Sequence, residues 1–254
     1  MSQYFDNDKS IKSEKRNIKF YFRDRKYSLV SDNGVFSKDR FDYGTRVLLE
    51  SIDIDNMSGN VLDLGCGIGV VGIILGSINT HISIDMVDVN ERAIELSKEN
   101  LLLNNIDNNV FVSDVYNSID KKYDYIVSNP PIRAGKDAIR RFLLGSYDYL
   151  TDNGILYFVM RKDHGVKSMI KELEEIYNVE IVNKDKGFYI VKCVKKISYW
   201  YNFFLFHYEK MTKTEKIRNE DLNCIVFLLL LCYHLYSRKV VSSKWRRIIV
   251  QFYM

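Results

Sequence analysis

Proline is almost absent from this chain of 254 residues: there are two, Pro130 and Pro131, side by side. Proline-rich linkers and extended spacers are therefore excluded. Cysteine is sparse too. Cys66, Cys193, Cys224 and Cys232 form no CxxC pair and have no histidine at ligand spacing. That excludes a disulfide framework and a zinc module, and predicts reduced thiols with no bound metal. Residues 1–26 lack an apolar run, so no leader is expected and the expected location is the cytoplasm. Glycine and proline are both missing from residues 188–254. Turn signals stop there, which predicts that the organised domain ends near Lys196.

Net charge is small, +4. From Ser198 onward lie nine of the Lys/Arg and four of the Asp/Glu, leaving 28 basic against 29 acidic residues before that point. The body is not globally basic, so a nucleic-acid partner has to be argued from local patches. One is the N-terminal arm, with Lys9, Lys12, Lys15, Arg16, Lys19, Arg23, Arg25 and Lys26. The expected organisation is a basic arm and hairpin over 1–40, a main domain over 41–196 and a tail over 197–254. The tail's apolar run CIVFLLLLCYHLY (224–236) falls short of the roughly 20 residues of a membrane span. A docked or interfacial helix, and a segment that is no selected domain, both stay open for it.

Between residues 17 and 196 apolar periodicity alternates. IKFYFR and YSLVS read as a hairpin. Strands are predicted at 60–65, 81–89, 110–113, 123–128, 154–160, 179–183 and 187–194. Helices are predicted at 41–52, 70–78, 90–104, 137–150 and 166–177, with Asn90 as an N-cap. Such alternation predicts an α/β fold with a mostly parallel sheet, helices on both faces and the last two strands antiparallel.

The first sheet strand runs into Asp63-Leu-Gly65-Cys66-Gly67-Ile-Gly69-Val-Val-Gly72. Glycines at a strand-to-helix turn let backbone approach a ligand closely and set free helix N–H groups beside it. Asp88 ends the next strand and can accept from ribose hydroxyls. It can equally favour the following helix N-terminus. Asp114, past the third strand, is placed to accept from an adenine amine. These features point to a nucleoside at the switch point of an open sheet, without separating NAD from S-adenosylmethionine.

SNPPIRAGK separates them. Two prolines fix φ and stiffen the turn after Asn129. Such a turn offers the Asn129 side-chain oxygen and the Pro130 carbonyl to the two hydrogens of one NH2 group. Held out of plane, that nitrogen regains its lone pair. Aligning it with a sulfonium methyl supplies most of the catalysis, about 7–11 kcal/mol. The acceptors also stabilise the charge that grows on nitrogen.

VLDLGCGIGVVGI, DMVDVNERAIELSKEN and SNPPIRAGK resemble motifs I, II and IV of class I S-adenosylmethionine-dependent methyltransferases. SDNGVFSKDRFDYGTRVLLE, SNPPIRAGK and DKGFYIVK resemble, more narrowly, the single-domain bacterial form of the small-subunit ribosomal RNA guanine-N2 methyltransferases. The resemblance spans about residues 4–196. It implies a Rossmann-like sheet of order 3-2-1-4-5-7-6 with the seventh strand antiparallel. It implies S-adenosylmethionine held by Asp63, Gly65, Cys66, Gly67, Gly69, Asp88, Val89, Asp114 and Asn129. Asn129 and Pro130 would grip the guanine amine. Phe36, Thr45, Pro131, Ile132, Arg133 and Lys136 would line the substrate side, with Gly44 nearby. The partner implied is ribosomal RNA or the small subunit.

Ile132 departs from the pattern, because many NPP enzymes carry a base-stacking aromatic there; Phe36 is the alternative. No internal repeat is present, so RNA grip is expected from the arm and from Arg133, Lys136, Arg140 and Arg141. Rival readings are an adenine-N6 or protein-glutamine methyltransferase, a non-catalytic cofactor-binding module, and a dinucleotide-binding oxidoreductase, which would need a general acid although neither His81 nor His164, the only histidines of the body, sits in a convincing motif.

Overall fold

A computed structural model of the protein describes residues 10–196. The expected tail and Lys9 lie outside the described residues. Two strands, β1 (Arg16–Phe22) and β2 (Arg25–Ser31), form the N-terminal hairpin in antiparallel register. Helix α1 (Tyr43–Ser51) follows. The main sheet then begins with β3 (Gly59–Leu64), α2 (Val70–Ile78), β4 (Ile82–Asp88), α3 (Glu91–Leu103) and β5 (Asn109–Val112). It continues with β6 (Tyr123–Ser128), α4 (Lys136–Leu143), α5 (Ser146–Tyr149), β7 (Leu150–Arg161), α6 (Val166–Leu173), β8 (Tyr177–Asp185) and β9 (Phe188–Lys195).

The seven-stranded sheet runs β5-β4-β3-β6-β7-β9-β8, and every pairing is parallel except the two that β9 makes, with β7 and β8. Numbered within the sheet alone, this is the expected order 3-2-1-4-5-7-6. Both faces of the central strands are covered, so β3, β6 and the middle of β7 are largely apolar and buried, whereas the edge strand β8 is mostly exposed. Side chains still divide by parity. Val61, Tyr157 and Val159 join the core beneath α1, α2, α3 and the hairpin, whereas Leu62, Leu64, Leu156, Phe158 and Met160 join the core beneath α4, α5 and α6. The chain leaves β3 toward β4 on one side and has β6 on the other. The carboxyl ends of β3 and β6 therefore flank the switch point, where open α/β sheets bind ligands.

Two predicted helices are shorter than their periodicity suggested. The one expected over 137–150 divides at Gly145, where a Cβ would stand 2.4 Å from the Arg141 carbonyl oxygen. Buried Ser146 turns its hydroxyl back to the Leu143 carbonyl and to Tyr177 Oη, and the Tyr116 and Tyr149 rings stack 4.3 Å apart beside the break. The helix expected to reach Tyr177 stops at Leu173, because Tyr177 is the fully buried first residue of β8.

The hairpin's free edge is completed by a helix. Asn100 of α3 accepts from Val30 N at 2.6 Å and donates to Val30 O and Ile68 O at 2.9 Å. Asn104, one turn on, donates to Ser28 O at 2.8 Å. Spaced i, i+4 on one helix face, the two amides meet alternate residues of β2. Among the described residues no helix is long and apolar enough to cross a membrane, and no cluster of potential metal ligands is present.

Candidate active site

A cavity of about 730 Å³ opens at the carboxyl edge of β3, β4, β6 and β7. One wall is the loop after β3. Gly65 N and Cys66 N both donate to Val87 O at 2.9 Å, Gly67 N donates to Asp88 Oδ2 at 2.9 Å, and Gly69 N donates to Cys66 O at 2.9 Å. The turn needs left-handed backbone at Gly65, Gly67 and Gly69, with φ of 76°, 55° and 91°. Beside Gly67 a Cβ would meet no protein atom within 4 Å, so the loop leaves open space where a ligand can lie against the backbone. Gly69 does not reach the wall; it is the N-cap of α2, packed over Met86 and Ser97.

Asp63, 1% exposed, lies under this loop and accepts from Gly72 N at 2.9 Å. It occupies a first-turn amide of α2 that the sequence had suggested would be free. Burial pushes its carboxyl up to about 7; the Gly72 amide opposes the shift and the nearby Asp88 charge adds to it. Burial also raises Asp88, against the amides of Asn90 and Gly67 that bond its two oxygens. Asp88 thus braces the glycine loop and the entry to α3 while still lining the cavity. Asn90 caps α3 as expected, accepting from Arg92 N and Ala93 N. Burial raises the Cys66 thiol well above its ordinary value, so it acts as an apolar wall. Val89 lines the same side.

The opposite wall is the corner after β6. Asn129, Pro130, Pro131, Ile132 and Arg133 all line the cavity. Pro131 opens a 3-10 turn over Ile132–Ala134, and Lys136 is the exposed first residue of α4, outside the cavity wall. Asn129 Nδ2 donates to Thr45 Oγ1 at 2.9 Å and to Asp42 Oδ2 at 3.2 Å. Thr45 is buried, and its hydroxyl donates to Asp42 Oδ2 at 3.1 Å. Gly44 admits the Phe188 ring, which stands 2.8 Å from where a Cβ would be.

Phe36, 51% exposed, is at the mouth with Phe188, Arg161 and His164. Arg161 lies over the Phe188 ring at 5.3 Å. Asp114 lines the far end and accepts from Arg141 Nη2 at 2.7 Å. Arg140 is bonded to Glu172 through two of its nitrogens. Several cations of the arm are also engaged within the protein: Lys15 with Glu99, Arg16 with Glu14 and Asp39, Arg23 with Asp55, and Arg25 with the Ser77 carbonyl.

Sequence reasoning did not single out Asp42, Phe142, Arg161 or Phe188. Phe188 falls inside DKGFYIVK, so its signal was present. Phe142, against Gly65, is one apolar residue among many on α4. Asp42 had one legible trait, a helix N-cap that accepts from Thr45 N at 2.8 Å.

Several known proteins are similar to this chain. A Bacillus subtilis protein called uncharacterized protein YbxB is 40% identical over 200 residues, 77% of this chain and all of that one. Ribosomal RNA small subunit methyltransferase C of Aliivibrio fischeri is 48% identical over 102 residues, 40% of this chain and 30% of that protein. The Thermus thermophilus 16S rRNA N2 G1207 methyltransferase, solved with AdoMet and guanosine, superposes with a TM-score of 0.65 at 21% identity, over 72% of this chain and 51% of that one. That likeness shows a common fold. The chain thus spans the whole of the Bacillus relative, but about half or less of these two methyltransferases. Residues 26–192 match the Methyltransferase small domain, and the chain belongs to that family of α/β methyltransferases.

Proposed function

We propose that the protein binds S-adenosylmethionine and transfers its methyl group to the exocyclic N2 amine of a guanine in small-subunit ribosomal RNA. The observation that carries this reading is a single cavity bounded by the glycine loop with Asp88 on one side and by the Asn129-Pro130 corner on the other. The residues fit the cofactor. The space beside Gly67 is open, Asp88 keeps lone pairs for ribose hydroxyls, and Asp63 and Asp88 suit a cationic ligand. When bound, the cofactor supplies an activated methyl on sulfur. Asn129 and Pro130 hold the amine hydrogens, and Phe36 is the aromatic surface for the base in the absence of one at Ile132. Pro131, Ile132 and Arg133 complete the substrate side. Lys136, beyond the wall, is left to meet RNA.

The named relatives and the resemblance of GVFS, NPPIRAGK and DKGFYIVK favour guanine over adenine-N6 or a protein glutamine. The oxidoreductase reading is disfavoured by the loop itself. Its Gly65, Cys66, Gly67, Gly69 and Gly72 amides are already bonded within the protein, and Asp63 stands where a diphosphate would need donors. The test is radiolabelled methyl transfer from S-adenosylmethionine to purified small-subunit RNA, with the product nucleoside identified by mass spectrometry. The expected product is N2-methylguanosine, absent with Asn129→Ala. Labelled adenine, or label only in protein, would overturn the substrate assignment.

A further inference from the structure

We propose that Asp42 and Thr45 are positioning residues, which lock the Asn129 side-chain amide with its oxygen toward the substrate amine. This rests on the function proposed above.

A side-chain amide is nearly symmetric in shape, and its two ends exchange by a half-turn. Only the oxygen end can accept a hydrogen from the substrate's NH2; the other end would oppose one donor with another. A catalyst of this kind therefore needs something that fixes which end faces the cavity. Nδ2 has two neighbours, Thr45 Oγ1 at 2.9 Å and Asp42 Oδ2 at 3.2 Å. The carboxylate has no hydrogen to give. The Thr45 hydroxyl has one, and the same Asp42 oxygen takes it at 3.1 Å. What Thr45 then offers Asn129 is a lone pair. Both neighbours are acceptors, and both require the NH2 end. The half-turned amide would lose two hydrogen bonds and set its oxygen against a carboxylate oxygen.

Orientation is thus dictated by chemistry rather than by shape. It begins at a helix end: Asp42 is the N-cap of α1, and its Oδ2 also accepts from Thr45 N at 2.8 Å. Three donors, two from Thr45 and one from Asn129 84 residues away, meet on one oxygen. Among the described residues no hydrogen bond reaches Asn129 Oδ1, which is the atom the reaction needs. Thr45 itself is buried, which suits a residue that acts through Asn129.

The test uses the full chain. Thr45→Val keeps the side chain's shape and the Asp42 cap but removes the lone pair. The expected result is a kcat lower by roughly 10- to 100-fold, the loss typical of a misplaced catalytic group, with cofactor affinity unchanged by calorimetry. Thr45→Ser restores kcat. Asp42→Ser keeps a capping oxygen too short to reach Asn129, and lowers kcat in the same way. A second readout needs no turnover. The Asn129 side-chain NH2, assigned by its loss in Asn129→Ala, is protected from exchange in the wild type and in Thr45→Ser and unprotected in Thr45→Val. Wild-type kcat in both Thr45→Val and Asp42→Ser, beside an inactive Asn129→Ala, overturns the positioning role and leaves the proposed function standing. So does a Thr45→Val loss that Ser fails to rescue. Full activity of Asn129→Ala overturns both.

Discussion

Gly67, in the loop after β3, and Gly72, in the first turn of α2, belong to one glycine run and meet different surroundings. At Gly67, φ is 55° and an added methyl would touch no protein atom. Gly67→Ala should cost about 1–2 kcal/mol for the left-handed backbone and leave the fold intact, while the methyl intrudes on the cofactor wall. At Gly72 a Cβ would stand 2.5 Å from Met86 Sδ and 2.7 Å from its Cγ, in a fully buried side chain. Gly72→Ala is overpacking, worth about 1–3 kcal/mol. Thermal melts and calorimetric titration should therefore separate the pair, with Gly67→Ala the worse binder and Gly72→Ala the lower in Tm. Equal binding losses would show that Gly67 does not face the cofactor.

Asp63 makes a prediction in pH. Its carboxyl is pushed up to about 7, so the native state holds a proton that the unfolded chain has released. The free protein should lose stability as pH climbs from the ordinary carboxylate range to about 7, with no further loss from this group above that. A cationic ligand favours the ionised form, so S-adenosylmethionine binding should expel a proton and tighten as pH rises through about 7. Titrations in buffers of different ionisation heat measure that proton. Asp63→Asn should flatten the profile; a profile that stays steep assigns the titration elsewhere, with Asp88 the nearest carboxylate.

Among elements, the asparagines of α3 have no counterpart in periodicity. Asn100 is fully buried and serves three backbone groups, Val30 N, Val30 O and Ile68 O. Asn100→Leu would leave all three without that partner, at about 1–3 kcal/mol for each group that water cannot reach. The hairpin should lose exchange protection first, which amide exchange can follow at Val30 and Leu29. Uniform loss across the sheet would show that the hairpin opens only with the whole fold.

The helix over Val70–Ile78 and the strand over Tyr123–Ser128 were legible at their observed bounds, because one apolar pattern and one flanking turn define each. The glycine loop, Asp88 and the Asn129-Pro130-Pro131 corner were legible for the same reason: each is a local signal. The break at Gly145 was hidden, since what excludes a side chain there, the Arg141 carbonyl oxygen and the Tyr116 ring at 2.4 and 3.0 Å from a Cβ, comes together only in the fold. Asp42 was hidden more deeply. Its partnership with Asn129 exists only once the start of α1 and the end of β6 have met.

For the molecule as a whole, the matched family ends at residue 192 and the Bacillus relative aligns along its full length with 77% of this chain. A chain ending at Lys196 should accordingly retain methyl transfer and cofactor affinity within about twofold of the full chain. Activity and solubility measured on that fragment check it; a fragment that folds but does not turn over would assign residues 197–254 a part in RNA binding.

The reversed direction of β9 has an effect on what the enzyme can vary. A parallel strand delivers its last residue to the reacting edge, but β9 delivers its first, Phe188, directly from the Lys186–Gly187 turn. That turn already touches α1, where Tyr43 donates to Asp185 and Lys186 lies over the Tyr43 ring. A hairpin tip is among the cheapest places in a protein to lengthen or redecorate. This one borders the cavity mouth through Phe188; under the function proposed above that is the acceptor's side, where lineages could change the target without rebuilding the half that handles the methyl group.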